Sequence, residues 1–208
     1  MELMIKNSVF LLLPVALALD LLIPFLLAPS YKGYNHLTQV MSVLGNDKAP
    51  LHMIYSAWLI VYGVILIIDN FVIYKVTSEF SKIIAVLLFI SIMIYAIGGC
   101  ILSGIFPVGD TKNLITVSQK IHGYGSVTGF MFLTLTPLLL AVYGCKAERT
   151  AFAVCSIICF ILTIITFTLF VMADKPDYKD TVIACEGLWQ RLTLLFMYIP
   201  LGCIYFVK

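Results

Sequence analysis

The amino-acid sequence predicts an all-α integral membrane protein: a bundle of six transmembrane helices with a short amphipathic interfacial helix between helices 1 and 2. Two observations predict this fold class. The 208-residue chain is 62% hydrophobic and only 12% charged, whereas about 25% of the residues in an average soluble domain are charged. Six apolar segments are also long enough to cross a bilayer, which takes about 20 residues in a helix.

The predicted spans lie at 8–28, 52–74, 83–106, 122–144, 150–172 and 187–207. Unpaired backbone N–H and C=O groups are strongly disfavoured in hydrocarbon, so each span is expected to be a helix. The connecting segments are too short for a separate soluble domain, and 1–208 is predicted to be a single membrane domain. Pro137 and Pro200 fall inside the fourth and sixth spans and are expected to bend them.

The segment 34–52, between the first two spans, is too polar to cross a bilayer. Its apolar residues recur at the spacing of one helical face, namely Leu37, Val40, Met41 and Leu44. Asn35 is a suitable N-cap and Gly45 a suitable C-terminal stop. This pattern predicts a short helix that lies at the membrane surface or dips between the spans.

Small residues mark the third and fourth spans. Gly98 and Gly99 lie in the third span, and Gly125 and Gly129 form a G-x-x-x-G pattern in the fourth. Because small residues allow two helix backbones to approach closely, these spans are predicted to pack tightly against each other.

Long and short connections alternate along the chain, and an even number of spans places both termini on the short-loop side. Six Lys and Arg residues then lie on the short-loop side and seven on the long-loop side, so the positive-inside rule does not decide the orientation. Our expectation is a prokaryotic plasma membrane protein with both termini in the cytoplasm. The net charge of +2 indicates no basic surface for nucleic acid.

All three histidines of the chain lie near the long-loop boundary of the membrane. Histidine and carboxylate side chains are common zinc ligands, which gives a candidate metal set of His36, His52, His122 and Asp110. The corresponding catalytic hypothesis uses Ser42, His52, Asp110 and His122 for acid–base chemistry. The alternative is that each histidine caps a helix or bonds a loop carbonyl.

Haem is a further possibility, because His52 and His122 open two spans at a similar depth. Six-helix b-type cytochromes carry four ligating histidines on four helices. This chain lacks the second pair, and haem is therefore not expected.

A polar pocket is predicted beneath the long-loop side. Asp20 and Arg191 could form an ion pair in the bundle interior, because an ionisable group within a span needs a partner. The other candidate pocket residues are Trp58, Glu186, Trp189 and Gln190. The two tryptophans could equally be interfacial anchors. Asp69, near the opposite end of the second span, is expected to be solvated or to cap a helix.

Four short motifs occur in order along the chain: S-x-x-G followed by A-P, G-x-F-P-x-x-D, a histidine that opens the fourth span, and G-L-x-Q-R. Their residues are Ser42, Gly45, Ala49, Pro50, Gly104, Phe106, Pro107, Asp110, His122, Gly187, Leu188, Gln190 and Arg191. In these motifs the chain resembles the prokaryotic six-span "domain of unknown function 998" proteins and, more distantly, the DRAM/Sfk-type proteins. The resemblance implies six helices and a polar cluster on one face, and no established reaction.

Three functional hypotheses remain from the sequence. The first is a module that binds a membrane lipid, another amphiphile or a partner protein on its long-loop face. The second is a membrane-embedded, metal-dependent lipid hydrolase or transferase. The third is a small transporter or proton relay that uses Asp20 and Arg191.

Overall fold

The computed structural model describes residues 2–109 and 114–206 of the chain, with side chains from Leu12 onward. Six long helices dominate this part of the protein, and each is apolar and long enough to cross a membrane. They are α1 (Glu2–Leu27), α2 (His52–Ser78), α3 (Lys82–Ile105), α4 (Val117–Lys146), α5 (Thr150–Met172) and α6 (Glu186–Cys203). The described residues contain no β-strand. The predicted six-helix architecture is confirmed.

Helix α4 begins five residues earlier than the apolar pattern suggests. Thr116 is its N-cap, and its hydroxyl accepts a hydrogen bond from the Gln119 backbone N–H at 3.2 Å. The Gln119 side chain in turn accepts from the Thr116 backbone N–H at 3.1 Å. This reciprocal capping box stabilises a polar first turn that hydropathy does not detect.

Two of the long helices are irregular. Residues Tyr95–Leu102 of α3 form a π-helical segment. Helix α4 is interrupted after Leu133 and resumes at Thr136. The proline at position 137 lacks the N–H that would bond the Leu133 carbonyl, so the helical ladder is broken at this point. The predicted bend at Pro137 is confirmed, whereas α6 continues through Pro200 to Cys203.

The close packing of α3 and α4 depends on facing glycines. A Cβ atom added to Gly98 would lie 2.6 Å from the backbone oxygen of Gly125. One added to Gly129 would lie 2.8 Å from the backbone nitrogen of Gly99. No side chain fits between the two backbones here, and the predicted tight pairing of the third and fourth spans is confirmed.

The two halves of α4 have different neighbours. The first half, Val117–Leu133, packs along α3, whereas the second half, Thr136–Lys146, packs against α5 as well as α3. The break near Pro137 divides the two halves. In the described part of the chain, the first half therefore diverges from α5 on the long-loop side of the bundle.

The connection between α1 and α2 does not form the predicted amphipathic α-helix. Its only helical elements are two 3₁₀ turns, at Ala28–Ser30 and Met41–Gly45. The expected end at Gly45 is correct for the second turn. Residues 35–40 instead form a turn in which the Gln39 N–H bonds the Asn35 carbonyl at 2.9 Å. Helix formation would occupy backbone groups that here bond α6, so tertiary contacts override the helical pattern.

We expect Gly98→Ala to destabilise the protein, because its Cβ would overlap the backbone of α4. Overpacking of this kind typically costs about 1–3 kcal/mol, more than the ~1 kcal/mol that alanine gains over glycine in a helix. The measurement is thermal unfolding of the purified protein in detergent. Gly202→Ala is the matched control, because its Cβ would have only ordinary contact with Leu17 at 3.4 Å. Equal melting temperatures for the two variants would contradict the glycine interface.

Candidate binding cavity

A cavity of about 630 Å³ opens beneath the long-loop side of the bundle. Its outer wall is formed by the α1–α2 connection and the first turns of α4 and α6, where hydrogen-bonding residues alternate with apolar ones such as Val40, Met41 and Val43. The hydrogen-bonding residues of this outer wall include Gln39, Ser42, Gln119, Glu186 and Gln190. Because Gln119 lies in the first turn of α4 and Phe130 three turns later, the cavity extends inward by ~16 Å along that helix.

The inner wall of the cavity is mainly aromatic. It is formed by α1, α2, α3, α4 and α5, through the residues Asp20, Tyr55, Tyr95, Phe130, Phe167 and Phe170. Asp20 is the single carboxyl group in this inner part, and its side chain is 2% exposed. The cavity therefore changes from hydrogen-bonding groups near the membrane surface to aromatic rings around one carboxyl group deeper in the bundle.

Arg191 fixes the α1–α2 connection over the start of α6. Its Nη1 donates to the carbonyl oxygens of His36 at 2.7 Å and Gln39 at 3.2 Å. The same atom reaches the Gly187 carbonyl within α6 at 2.7 Å. Its Nη2 donates to the Tyr34 hydroxyl at 2.6 Å and to His36 Nδ1 at 3.2 Å. We call this set of contacts the Arg191 clamp.

The residues beside Arg191 complete this contact. The side-chain oxygen of Gln190 accepts a hydrogen bond from the Met41 N–H at 2.7 Å. The Leu188 N–H donates to the Leu37 carbonyl at 3.0 Å. Gly187 has no side chain, and a Cβ there would overlap the carbonyls of His36 and Gln39. The G-L-x-Q-R motif thus holds residues 36–41 against α6.

The predicted Asp20–Arg191 ion pair is wrong. The Asp20 carboxylate accepts hydrogen bonds from the Tyr198 hydroxyl at 2.8 Å and from Trp58 Nε1 at 3.2 Å. Tyr198 also shares a 2.6 Å hydrogen bond with the Tyr95 hydroxyl. Arg191 is occupied by the loop carbonyls, which need donors because they lie outside any helix. Asp20 is thus held by neutral donors rather than by a cation.

The three histidines have separate surroundings. His36 stacks on Phe25, with ring centroids 4.4 Å apart. His52 bonds the Ala49 carbonyl through Nδ1 at 2.8 Å and borders a second, smaller cavity. His122 bonds the Phe106 carbonyl through Nδ1 at 2.8 Å and lines the main cavity. His52 and His122 each bond a backbone carbonyl, as the alternative expected, whereas His36 stacks on Phe25 and accepts a hydrogen bond from Arg191.

These placements do not support the predicted metal set. Among residues 2–109 and 114–206, no three His, Cys, Asp or Glu side chains come close enough to hold a metal ion. His36, His52 and His122 thus do not form a metal group by themselves, and the set that includes Asp110 stays a prediction. Asp110, the fourth proposed ligand and a proposed catalytic residue, lies outside the described residues.

The predicted pocket residues fall into two groups. Asp20, Glu186 and Gln190 line the cavity, together with Ser42 and His122 of the catalytic hypothesis. Trp58 does not line it but donates to Asp20. Trp189 donates to the Ile183 carbonyl at 3.0 Å, which is typical of an interfacial anchor.

The sequence reasoning missed the tyrosines. The Tyr34 hydroxyl accepts a hydrogen bond from Arg191. The Tyr95 hydroxyl shares a hydrogen bond with the Tyr198 hydroxyl, which in turn donates to Asp20. A buried tyrosine hydroxyl usually has a hydrogen-bond partner, and this rule could have drawn attention to Tyr95 and Tyr198 inside apolar spans. Tyr198 also lies seven residues after Arg191, which places both on one face of α6.

Asp69 is a second buried carboxyl group and differs from its expected solvated role. Its side chain is fully buried, and neither oxygen has a hydrogen-bond partner. The neighbouring Asn70 donates to the Phe89 carbonyl at 2.9 Å. Asp69 lies on α2 two turns or more beyond the cavity-lining Leu59 and does not line the cavity.

Burial and the nearby Arg191 shift the pKa values of His36 and Tyr34. Burial, followed by the positive charge of Arg191, lowers the pKa of His36 below its ordinary value of 6.5. Burial raises the pKa of Tyr34, and Arg191 opposes that shift. Because a guanidinium only donates hydrogen bonds, His36 Nδ1 is an acceptor, which requires the neutral ring.

The six long apolar helices define a multi-pass helical membrane protein. The chain belongs to the family described as "Protein of unknown function (DUF998)", whose model matches residues 14–207. The resemblance found in the motifs is thereby confirmed over nearly the whole chain. No curated protein and no solved structure matches it.

We expect Arg191→Lys to destabilise the clamp, because a lysine cannot replace the planar guanidinium that bonds several acceptors at once. Hydrogen bonds to charged groups contribute about 1.5–3 kcal/mol each, so a loss of about 3 kcal/mol is expected. Thermal unfolding measures this loss, and faster amide hydrogen exchange at residues 36–41 would locate it. Arg149→Lys, on an exposed arginine of the short-loop side, is the matched control. Unchanged exchange at 36–41 would contradict the clamp.

Acidification should weaken the clamp through His36. The lowered pKa means that this contribution to stability is present above pH 6.5 and is lost as the pH falls through the folded-state pKa. The melting temperature should therefore fall between about pH 7.5 and pH 5, and His36→Gln should remove part of that dependence. His52→Gln serves as the control. If the two variants have the same pH profile as the unmodified protein, His36 does not control the clamp.

Proposed function

We propose that this protein binds one amphiphilic molecule of the membrane in the main cavity. The observation that supports the proposal is the gradient within the cavity, from hydrogen-bonding residues at the outer wall to aromatic rings at the inner wall. Its volume of about 630 Å³ falls within the range of about 300–1,000 Å³ for small-molecule sites. A molecule that has both a polar group and an apolar chain can contact both parts of this wall.

Access from the lipid is supported by the divergence of α4 from α5. Tyr124 and Val127 of α4 line the cavity and are 66% and 58% exposed. At the inner end of the gap, Phe130 meets Phe170 with ring centroids 6.0 Å apart. The gap between the first half of α4 and α5 is therefore the proposed entry for a membrane molecule.

The connection between α1 and α2 forms the cover of this site. Residues Thr38–Val43 line the cavity on the side of the membrane surface, and the Arg191 clamp fixes them in place. A partner protein that docks on this cover is the other form of the binding hypothesis. The lipid-facing gap favours an amphiphile, because it leads to the cavity without displacing the cover.

The orientation is a separate part of the proposal. We infer that the protein lies in a prokaryotic plasma membrane, with both termini and the short loops in the cytoplasm. The cavity would then face the extracytoplasmic side. This assignment is supported by the alternation of loop lengths, and the Lys and Arg count does not contradict it.

A lipid hydrolase or transferase is the second candidate, because Ser42 and His122 line the same cavity. With Nδ1 of His122 bonded to the Phe106 carbonyl, Nε2 would be the nitrogen available as a general base. Within the part of the chain that the structure describes, however, no hydrogen bond joins Ser42 to His122. A nucleophile and its base are expected within about 2.6–3.2 Å of each other, so binding is the better supported function.

The test is to block the gap. We expect Val127→Trp to reduce the amount of amphiphile that co-purifies with the protein at least about fivefold, because the indole would occupy the space between α4 and α5. Val154→Trp is the matched control: Val154 is 51% exposed on α5 and does not line the cavity. Native mass spectrometry after transfer from the membrane into mild detergent measures the bound molecule.

Equal retention in the two tryptophan variants would overturn the proposal. If the bound molecule is recovered intact from the unmodified protein, binding is supported. Recovery of a cleaved product, restored to the intact form by His122→Ala, would instead establish the hydrolase.

A further inference from the structure

The charged residues that line the cavity in the described part of the chain are acidic. Two carboxyl residues, Asp20 and Glu186, line it, whereas no lysine or arginine does so among the residues that the structure describes. The nearest basic residue along α6, Arg191, directs its guanidinium to the loop carbonyls and to Tyr34. An anionic head group in the inner part of the cavity would therefore meet the Asp20 carboxyl group and no lysine or arginine of the described wall.

The Asp20 carboxylate retains unused acceptor positions. An ionised carboxylate has about four acceptor positions, and two of them are occupied, one by Trp58 on Oδ1 and one by Tyr198 on Oδ2. The residue is 2% exposed and lies in the cavity wall. A buried carboxylate held only by neutral donors is further stabilised when a positive charge enters beside it.

Aromatic rings line the same cavity. Tyr55, Tyr95, Phe130, Phe167 and Phe170 all contribute to the wall. The face of an aromatic ring attracts cations, and aromatic cages are a recurrent way of holding ammonium groups. The rings and the Asp20 carboxyl group thus favour the same kind of ligand.

The apolar part of the ligand adds little discrimination. An alkyl chain that moves from the bilayer into the cavity exchanges one apolar environment for another, because lipid tails are as apolar as leucine side chains. Selectivity must therefore come from the polar end.

We infer that the ligand is a single-chain amphiphile whose polar end is a protonated amine, with its nitrogen beside Asp20 and its chain directed through the gap between α4 and α5. This inference rests on the proposed binding function. In this inference Asp20 recognises the positive charge of the amine, and the aromatic inner wall excludes water around that charge.

The test compares three probes that differ only in the head group: dodecylamine, dodecanol and dodecyl phosphate. The protein carries Trp189→Phe, which leaves Trp58 as its sole tryptophan and therefore as a fluorescent reporter beside Asp20. It is reconstituted in phosphatidylcholine nanodiscs at pH 7.5. We expect saturable binding of dodecylamine, at least about tenfold tighter than that of dodecanol, and no saturable signal with dodecyl phosphate.

Asp20→Asn then isolates the charge. Asparagine keeps the size of the side chain and an oxygen acceptor for Tyr198 or Trp58, so dodecylamine should bind at least about tenfold more weakly while dodecanol binds unchanged. Asp177→Asn, on an exposed carboxyl group between α5 and α6, is the matched control. Size-exclusion chromatography checks that the variants are folded. If Asp20→Asn does not fold, the head-group series on the unmodified Asp20 decides the inference alone.

The outcomes separate the two proposals. Equal binding of all three probes, abolished by Val127→Trp, would retain the binding function and overturn the amine inference. Preference for dodecyl phosphate would overturn it as well. If no probe binds and Val127→Trp has no effect on co-purified amphiphile, the binding function itself is wrong.

Discussion

The guanidinium of Arg191 is the contact on which the rest of the site depends. A loop at a membrane boundary leaves backbone carbonyls without helical partners, and these carbonyls need donors when water is excluded. Arg191 supplies donors to two loop carbonyls, and the adjacent Gln190 supplies an acceptor to the loop N–H of Met41. Two consecutive residues of α6 thus satisfy a segment more than 140 positions away in the chain. Without them the cavity would have no cover.

The Arg191 clamp also keeps the positive charge of Arg191 apart from the Asp20 carboxyl group. The positive charge is committed to the backbone of the loop, and the Asp20 carboxyl group remains in the cavity with hydrogen bonds from Trp58 and Tyr198. A conventional Asp–Arg ion pair would have neutralised both groups and left the wall without a net charge. Under the proposed binding function, the Asp20 carboxyl group would therefore be available to a ligand of opposite charge.

The architecture could be predicted from the sequence, because hydropathy and helix length are local properties. The glycine contact between α3 and α4 was also predictable from spacing. The partners of Arg191 could not be predicted, because they depend on how the loop crosses α6. No periodic pattern in the sequence indicates the path of that loop. The predicted surface helix does not form for the same reason, because backbone groups of residues 36–41 bond α6 instead of one another. The capping box at Thr116 and Gln119 was visible in the sequence but lay outside the apolar window.

The break in α4 gives the protein a sidedness with respect to the bilayer. The cavity extends inward by ~16 Å along α4, which is about half of the ~30 Å hydrocarbon core of a membrane. Beyond Pro137 the second half of α4 closes against α5. Under the proposed binding function, lipids of one leaflet would reach the gap, whereas lipids of the opposite leaflet would meet a closed helix pair. The protein would sample a single monolayer, and the lipid composition of that monolayer would set its occupancy.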